Sequence, residues 1–494
     1  MKKVVVIGGG IAGLSAGIYA RQCGFDVTIL ESHEIAGGNC TSWKRKGFLF
    51  EGGMHWLTGS AAHEPIHAIW RNIGALDDSV QVHYPEPFME YNHEGEHVCV
   101  YRNVDRFEAH LLSLSPQDEK PIRAMCRQIR RVQNLAMPLT DIKGVKVTRK
   151  RYPPISMLFS AISATRLISS LSKVTRQQYI AQFSHEGIRQ LLLCCTTDES
   201  GVMPIIFTMG TLTRGDGGFP EGGSLAFVNR IVKRFESLGG QISYGTRATR
   251  ILTHEGKVTG VLCGAEEIEA DSVIVTADTM AIESLFDTPP KAAWLEEMHS
   301  VTRPTMNVFV SLGVNAELSD LPHGYAFHAR NSIDFGGRSC DYLTINNYAD
   351  DPVYSPPGQS ALTISLPGDT YDFWKTAKEN GTYAAEKVKL ANALIEELSE
   401  QIPAILGKVE MYDVATPLTY ERYCGNWRGS WMSEMGGKAS FNQYPCTIDG
   451  LSGVYFAGQR IMPPGGLPVA AMTGRSAVQH LCRETETLFI NEEE

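Results

Sequence analysis

The chain lacks a second glycine-rich dinucleotide turn, a paired-cysteine motif and a long apolar run, and each absence removes a class of protein. Its 494 residues include 11 cysteines, an odd number with no Cys-x-x-Cys spacing, which argues against a disulfide framework or a zinc ribbon. No metal-ligand set is assigned. Cys194-Cys195, an adjacent pair in an apolar run, reads as buried thiols rather than a redox couple, because reactive thiols need basic, exposed settings. No stretch of about 20 apolar residues is available to cross a bilayer. Met1-Lys2-Lys3 and the apolar run after it imitate a secretory leader, but that run is accounted for as a first strand and helix, so secretion is not expected. No internal repeat or low-complexity segment is seen. Base is outnumbered by acid, 45 to 55, for a net charge of −10, which disfavours a nucleic-acid partner.

Acid is nearly missing from one place. Between Pro121 and Gln178 stand twelve basic residues, with Asp141 the single acid. The densest cluster is followed by Tyr152-Pro153-Pro154-Ile155-Ser156-Met157-Leu158-Phe159. Basic charge beside an apolar stretch suits a monotopic membrane contact; a solvated face over an ordinary core helix is the other reading. The expected location is cytoplasmic, with peripheral membrane contact under the first reading.

What is present begins at the N-terminus. Val4-Val5-Val6-Ile7 forms a buried strand. Gly8-x-Gly10-x-x-Gly13 follows, then a helix containing Ala12, and a second strand over 27–30 that ends in Glu31. The glycines give a tight turn, let backbone approach a pyrophosphate and let the helix pack close on the strand. The helix start offers free N–H groups to phosphate, and the Glu31 carboxylate is placed to accept from ribose hydroxyls. A bare glycine turn would not explain an acid at that offset. At the other end, Gly453-Val454-Tyr455-Phe456-Ala457-Gly458-Gln459 reads as a strand. Gly465-Gly466-Leu467-Pro468-Val469 opens a helix that runs to about residue 481, a second dipole site.

These pieces resemble the phytoene desaturase, carotenoid isomerase and retinol saturase family of FAD-dependent oxidoreductases. Gly217-Gly218-Phe219-Pro220-Glu221-Gly222-Gly223 is similar to the family's aromatic-Pro-x-Gly-Gly signature, and Glu51-Gly52-Gly53-Met54-His55-Trp56 to the saturase branch's acid-glycine-histidine-aromatic segment, with Glu where Asp is common. The glycine doublet of Ala36-Gly37-Gly38-Asn39 is a feature of glutathione-reductase-like flavoproteins, where backbone passes close to the FAD phosphates. The resemblance runs from residue 1 to about 482. It implies an α/β fold: a discontinuous Rossmann-type FAD domain over 1–75, 212–290 and 447–494, with an α+β substrate cap over 76–211 and 291–446 that carries the basic region 121–178. Strands are expected near 306–312 and 362–366, and amphipathic helices over 225–238 and 384–402.

The resemblance also implies non-covalent FAD, held by Gly8, Gly10, Ala12, Gly13, Glu31, Gly37, Gly38, Asn39, Gly53, Met54, His55, Arg247, Ala248, Gly458, Gln459, Gly466, Leu467, Pro468 and Val469. The flavin carries hydride and the protein supplies position and electrostatics. His55, Trp56, Tyr423 and Arg460 are candidates near the ring, and His55 is the first choice as acid or gate; a histidine that only bonds backbone is the competing reading. With one dinucleotide turn, electrons must come or go through a transient NAD(P)H, a quinone or oxygen. The implied function is desaturation, saturation or isomerisation of a carbon–carbon bond in a hydrophobic polyene or isoprenoid. Three alternatives stay open: a flavin amine or amino-acid oxidase, a lipid carrier like the Rab GDP-dissociation inhibitors, and an FAD-dependent fatty-acid hydratase. Oligomeric state is not legible.

Overall fold

The computed structural model describes residues 1–149, 165, 167, 169–171, 174–195, 202–434, 443–463 and 465–492. Its first layer is a five-stranded parallel sheet, in the order Val454–Phe456, Ser272–Val275, Lys3–Ile7, Asp26–Leu30, Gln241–Ser243. Val5 lies between Val273 and Thr28 in register. A parallel sheet is covered on both faces, so its strands are runs of β-branched residues without alternation; Val4, Val5 and Val6 are all 2% exposed or less.

One cover is made by two helices, Ile11–Gln22 and Leu467–Glu484. They approach so closely that a Cβ on Gly474 would lie 2.3 Å from the Ala12 carbonyl. The Ser15 hydroxyl donates to the Ala471 carbonyl at 2.8 Å. The helices thereby cross near the first turns of Ile11–Gln22 and the second turn of Leu467–Glu484, and both glycine-opened N-termini line one cavity. The helix Gly223–Ser237 packs beside them through Phe235, which meets Gly17.

The second layer is a seven-stranded sheet, in the order Val409–Ala415, Asn307–Val314, Ser360–Pro367, Ser339–Asn347, Gly324–Asp334, Met89–His93, Glu96–Val100. Alternation divides the strand Asn307–Val314 into two faces. Val308, Val310, Leu312 and Val314 share a core with Leu390, Leu394 and Leu398 of the helix Tyr383–Gln401. Asn307 and Phe309, of the other parity, line a cavity between the layers. The hairpin over 89–100 joins the edge of this sheet by parallel pairing of Tyr91 with Ala326, a union of segments far apart in sequence that no local pattern marks. A separate three-stranded sheet over 250–269 was likewise not foreseen.

A helical cluster completes the second layer. Ile122, Met125, Cys126 and Ile129 of the helix Glu119–Val132 pack with Ile206 and Met209 of the helix Met203–Thr213. On the outer side of Glu119–Val132, Arg130 pairs with Asp105 at 2.5 Å and Glu108 at 2.6 Å, and Arg123 pairs with Glu119 at 3.0 Å. The net basic face is therefore smaller than the count of arginines suggests. The apolar stretch 152–159 lies outside the described residues. Among the described residues no helix is long and apolar enough to cross a membrane.

Candidate active site

The glycine turn is sterically closed to a side chain at Gly8 and Gly13. A Cβ on Gly13 would stand 1.9 Å from the Gly8 carbonyl, and one on Gly8, at φ +104°, 2.9 Å from the Thr276 hydroxyl. The N-cap of the helix Ile11–Gln22 is Gly10, which provides no side-chain acceptor, so the first-turn N–H groups remain available to a ligand. Glu31 ends the second strand, 8% exposed. One of its oxygens accepts from the Gly9 N–H and the other from the His33 N–H, both at 2.7 Å. The carboxylate thus shapes the turn as well as facing the cavity. The Gly37 N–H donates to the Gly9 carbonyl at 2.9 Å, laying the doublet against the turn; Gly37 has φ +124°, and a Cβ there would meet the Cys40 carbonyl at 2.5 Å.

The second dipole site mirrors the first. Gly466, at φ +91°, caps the helix Leu467–Glu484 without a side-chain acceptor, and Pro468 occupies its first turn, where a missing N–H costs nothing. Two bare helix starts, two glycine cradles and an acid at the end of the second strand match a dinucleotide with a pyrophosphate centre and an electron-rich ring.

Glu51 organises the segment between the cradles. It is fully buried, and one oxygen accepts from the Gly53 and Met54 N–H groups at 2.9 and 3.1 Å and from the Ser224 hydroxyl at 2.5 Å. Its other oxygen accepts from the Ser224 N–H at 2.9 Å and the Tyr354 hydroxyl at 3.1 Å. An unpaired buried carboxylate is stable only when so saturated, and the start of the helix Gly223–Ser237 adds its dipole. The result is a fixed path for Gly53, Met54 and His55.

His55 reaches the cavity from that path. Its ring stacks on Phe309 with centroids 5.0 Å apart, and its Nδ1 lies 3.3 Å from the Asn346 amide nitrogen. Burial holds its pKa below the ordinary value of 6.5 against the opposing pull of Glu51, so the neutral ring is favoured. Arg460 also lines the cavity, but its guanidinium is committed. It bonds both oxygens of Asp278, at 2.7 and 3.0 Å, the hydroxyls of Ser430 and Ser433, and the Met432 carbonyl. That geometry clamps the Ser430–Ser433 segment onto the parallel sheet. Tyr423 is 44% exposed and stands edge-on to His33, 5.2 Å away, two residues past Glu31. It keeps company with the cradle residues rather than with His55.

One cavity of about 1870 Å³ joins these parts. Every residue expected to hold the cofactor or act near it lines this space except Gly13, which is sealed beneath Gly8. Cys194 and Cys195 line it too, only partly buried, with desolvation raising both thiols, Cys195 to about 12; they are inert walls. Sequence reasoning passed over Asn307, Phe309 and Asn346 in the seven-stranded sheet and the helix Met203–Thr213, since nothing local distinguishes them from ordinary cap residues.

The sequence pattern of the flavin containing amine oxidoreductases matches residues 11–482. The all-trans-retinol 13,14-reductase of Danio rerio is 24% identical, over 96% of this chain and 85% of its own. The chloroplastic prolycopene isomerase of Daucus carota is 22% identical, over 95% and 78%. An oxidoreductase from Methanosarcina mazei superposes with a TM-score of 0.60 at 18% identity, over 97% of this chain and 100% of that one, a likeness of fold.

Proposed function

The chain belongs to the flavin containing amine oxidoreductases, and from that premise we propose that this flavin-dependent oxidoreductase acts on a carbon–carbon bond of a hydrophobic polyene. The observation that carries the reading is the cavity's second half. Beyond the cofactor cradle it is walled by Leu135, Met137, Pro138, Met203, Pro204 and Phe207. Single-ligand pockets run to roughly 1,000 Å³, so the space holds a dinucleotide and a second large ligand together. A cationic amine would call for a free carboxylate, but Asp278 is bonded to Arg460, Asp369 to Arg428, Asp413 to Trp43 and Arg45, and Glu31 to two backbone N–H groups, and Glu434 is engaged as well. Retinol and prolycopene, named in the two relatives, are both conjugated isoprenoids.

The flavin, when bound, supplies hydride exchange at its ring. The chain does the rest. The start of the helix Leu467–Glu484 stabilises negative charge gathered near it. Phe309 and Tyr420, edge to face at 6.0 Å, exclude water from the face of His55. In the protonating direction His55 gives a proton to substrate carbon as the imidazolium and is left as the neutral ring that burial favours, held in orientation by Asn346. The basic region supports delivery from a membrane surface, through the exposed Arg127 and Arg131.

Mass spectrometry of small molecules released by denaturing the purified protein tests the reading. FAD with an apolar isoprenoid is the expected outcome. Lipid without FAD, even after incubation with added FAD, favours the carrier. Peroxide release on adding amines to the FAD-loaded protein favours an amine oxidase.

A further inference from the structure

A conjugated isoprenoid repeats the same unit along its length, so an enzyme that acts on one bond needs a marker to set the register. The cavity-facing stripe of the helix Met203–Thr213 changes character along its length. Met203, Pro204 and Phe207 are apolar, Thr208 and Thr211 follow, and the C-cap residue Arg214 ends the stripe. These positions fall on one side at helical spacing. No described group bonds the Thr208 or Thr211 hydroxyl. Arg214 bonds both carboxylate oxygens of Glu64 and the carbonyls of Gln133 and Leu135, which engages four of its five N–H groups. Glu64 is 1% exposed and Arg214 13%, so the pair is a buried, neutral unit.

We propose that the substrate is a polyene with an uncharged oxygen at one end, a hydroxyl or carbonyl, and that Thr208, Thr211 and Arg214 bind that oxygen. This deepens the polyene reading and rests on it. The apolar tail lies along Phe207 and Met203, and the oxygen meets two hydroxyls and the remaining guanidinium N–H. A carboxylate is disfavoured, because Glu64 already neutralises Arg214 and a second anion would be desolvated beside it. A hydrocarbon leaves the hydroxyls without partners. The polar end adjoins Trp56, which packs on Gly217 three residues past Arg214, and Trp56 follows His55 in the chain. Anchoring the oxygen there sets which bond stands at His55.

The test uses the full-length FAD-loaded protein and three probes with one carbon skeleton: all-trans-retinol, its deoxy hydrocarbon and all-trans-retinoic acid, with affinity read by fluorescence titration. Retinol is expected to bind about tenfold more tightly than either of the others. The Thr208→Val/Thr211→Val double variant is expected to erase the preference over the hydrocarbon, and Thr208→Ser/Thr211→Ser to keep it, with flavin absorbance reporting an intact fold. Equal affinity for alcohol and hydrocarbon, tightest binding of the acid, or a preference that survives in the valine variant overturns the proposal while leaving the polyene reading in place. Failure of these probes and of phytoene and prolycopene to bind sinks that reading and this proposal together.

Discussion

At the Gly8–Gly13 end of the cavity the ligand-facing groups are backbone N–H groups held by glycine turns, whereas at the Thr208–Arg214 end they are side chains on one face of a helix and on a loop distant from it in sequence. The first end admits no side chain at Gly8 or Gly13, because a Cβ on Gly13 would stand 1.9 Å from a carbonyl oxygen and Gly8 holds φ +104°. The second end tolerates changes in shape and polarity, because its walls are side-chain surfaces on the helix Met203–Thr213 and the loop 135–138. A cofactor common to many reactions is held by geometry that cannot drift; a substrate particular to one is held by chemistry that can.

The largest effect should come from breaking the first end alone. Gly13→Val is expected to abolish flavin retention, since overpacking costs about 3 kcal/mol where backbone cannot yield. Absorbance of the purified protein checks this, and flavin bound at wild-type stoichiometry would refute it. Next, His55→Ala acts where the two ends meet. It should keep the flavin spectrum while turnover falls roughly 10²–10⁴-fold; full steady-state activity removes His55 from the mechanism.

A third effect concerns the wall behind His55. Burial holds His323 at about 4, aided by His55, His83 and Arg102 and opposed by a backbone bond with Asn347. In the unfolded chain its proton binds near the ordinary 6.5, so the unfolded state takes up more protons between those values. The stability contributed by the neutral ring is complete above about pH 6.5 and is lost as pH falls towards 4, by at most about 3 kcal/mol. Denaturation midpoints across that window should drop in the wild type and drop less in His323→Phe. The smallest effect tests delivery to the substrate end. Arg127→Glu with Arg131→Glu should weaken sedimentation with anionic vesicles, about 1 kcal/mol for each lost basic charge, and unchanged binding would detach that helix from any membrane role.

The legibility of the two ends follows the same division. The strand Lys3–Ile7, the glycine turn and Glu31 lie within 31 residues, and each has a local cause: β-branched burial, a positive φ, an acid at a strand end. The helices expected over 225–238 and 384–402 were readable from apolar periodicity and form over Gly223–Ser237 and Tyr383–Gln401. Asn346 was not readable, because its partner His55 is 291 residues away. The basic run 121–178 misled in degree: Arg123 and Arg130 meet acids on their own and the preceding helix, pairs that a charge count cannot see.

The amino-acid order by itself determined the strand before the glycine turn and the two bare helix starts, because those depend on backbone conformation set over a few neighbouring residues, and the resemblance those segments carry implied the flavin cofactor. Only the tertiary structure decided how Glu51 holds the path to His55, how Arg460 is consumed by Asp278, and which stripe of the helix Met203–Thr213 faces the cavity. Those outcomes depend on which distant side chains share a closed, low-dielectric space, where each hydrogen bond or charge is stable only if a partner from elsewhere in the chain completes it.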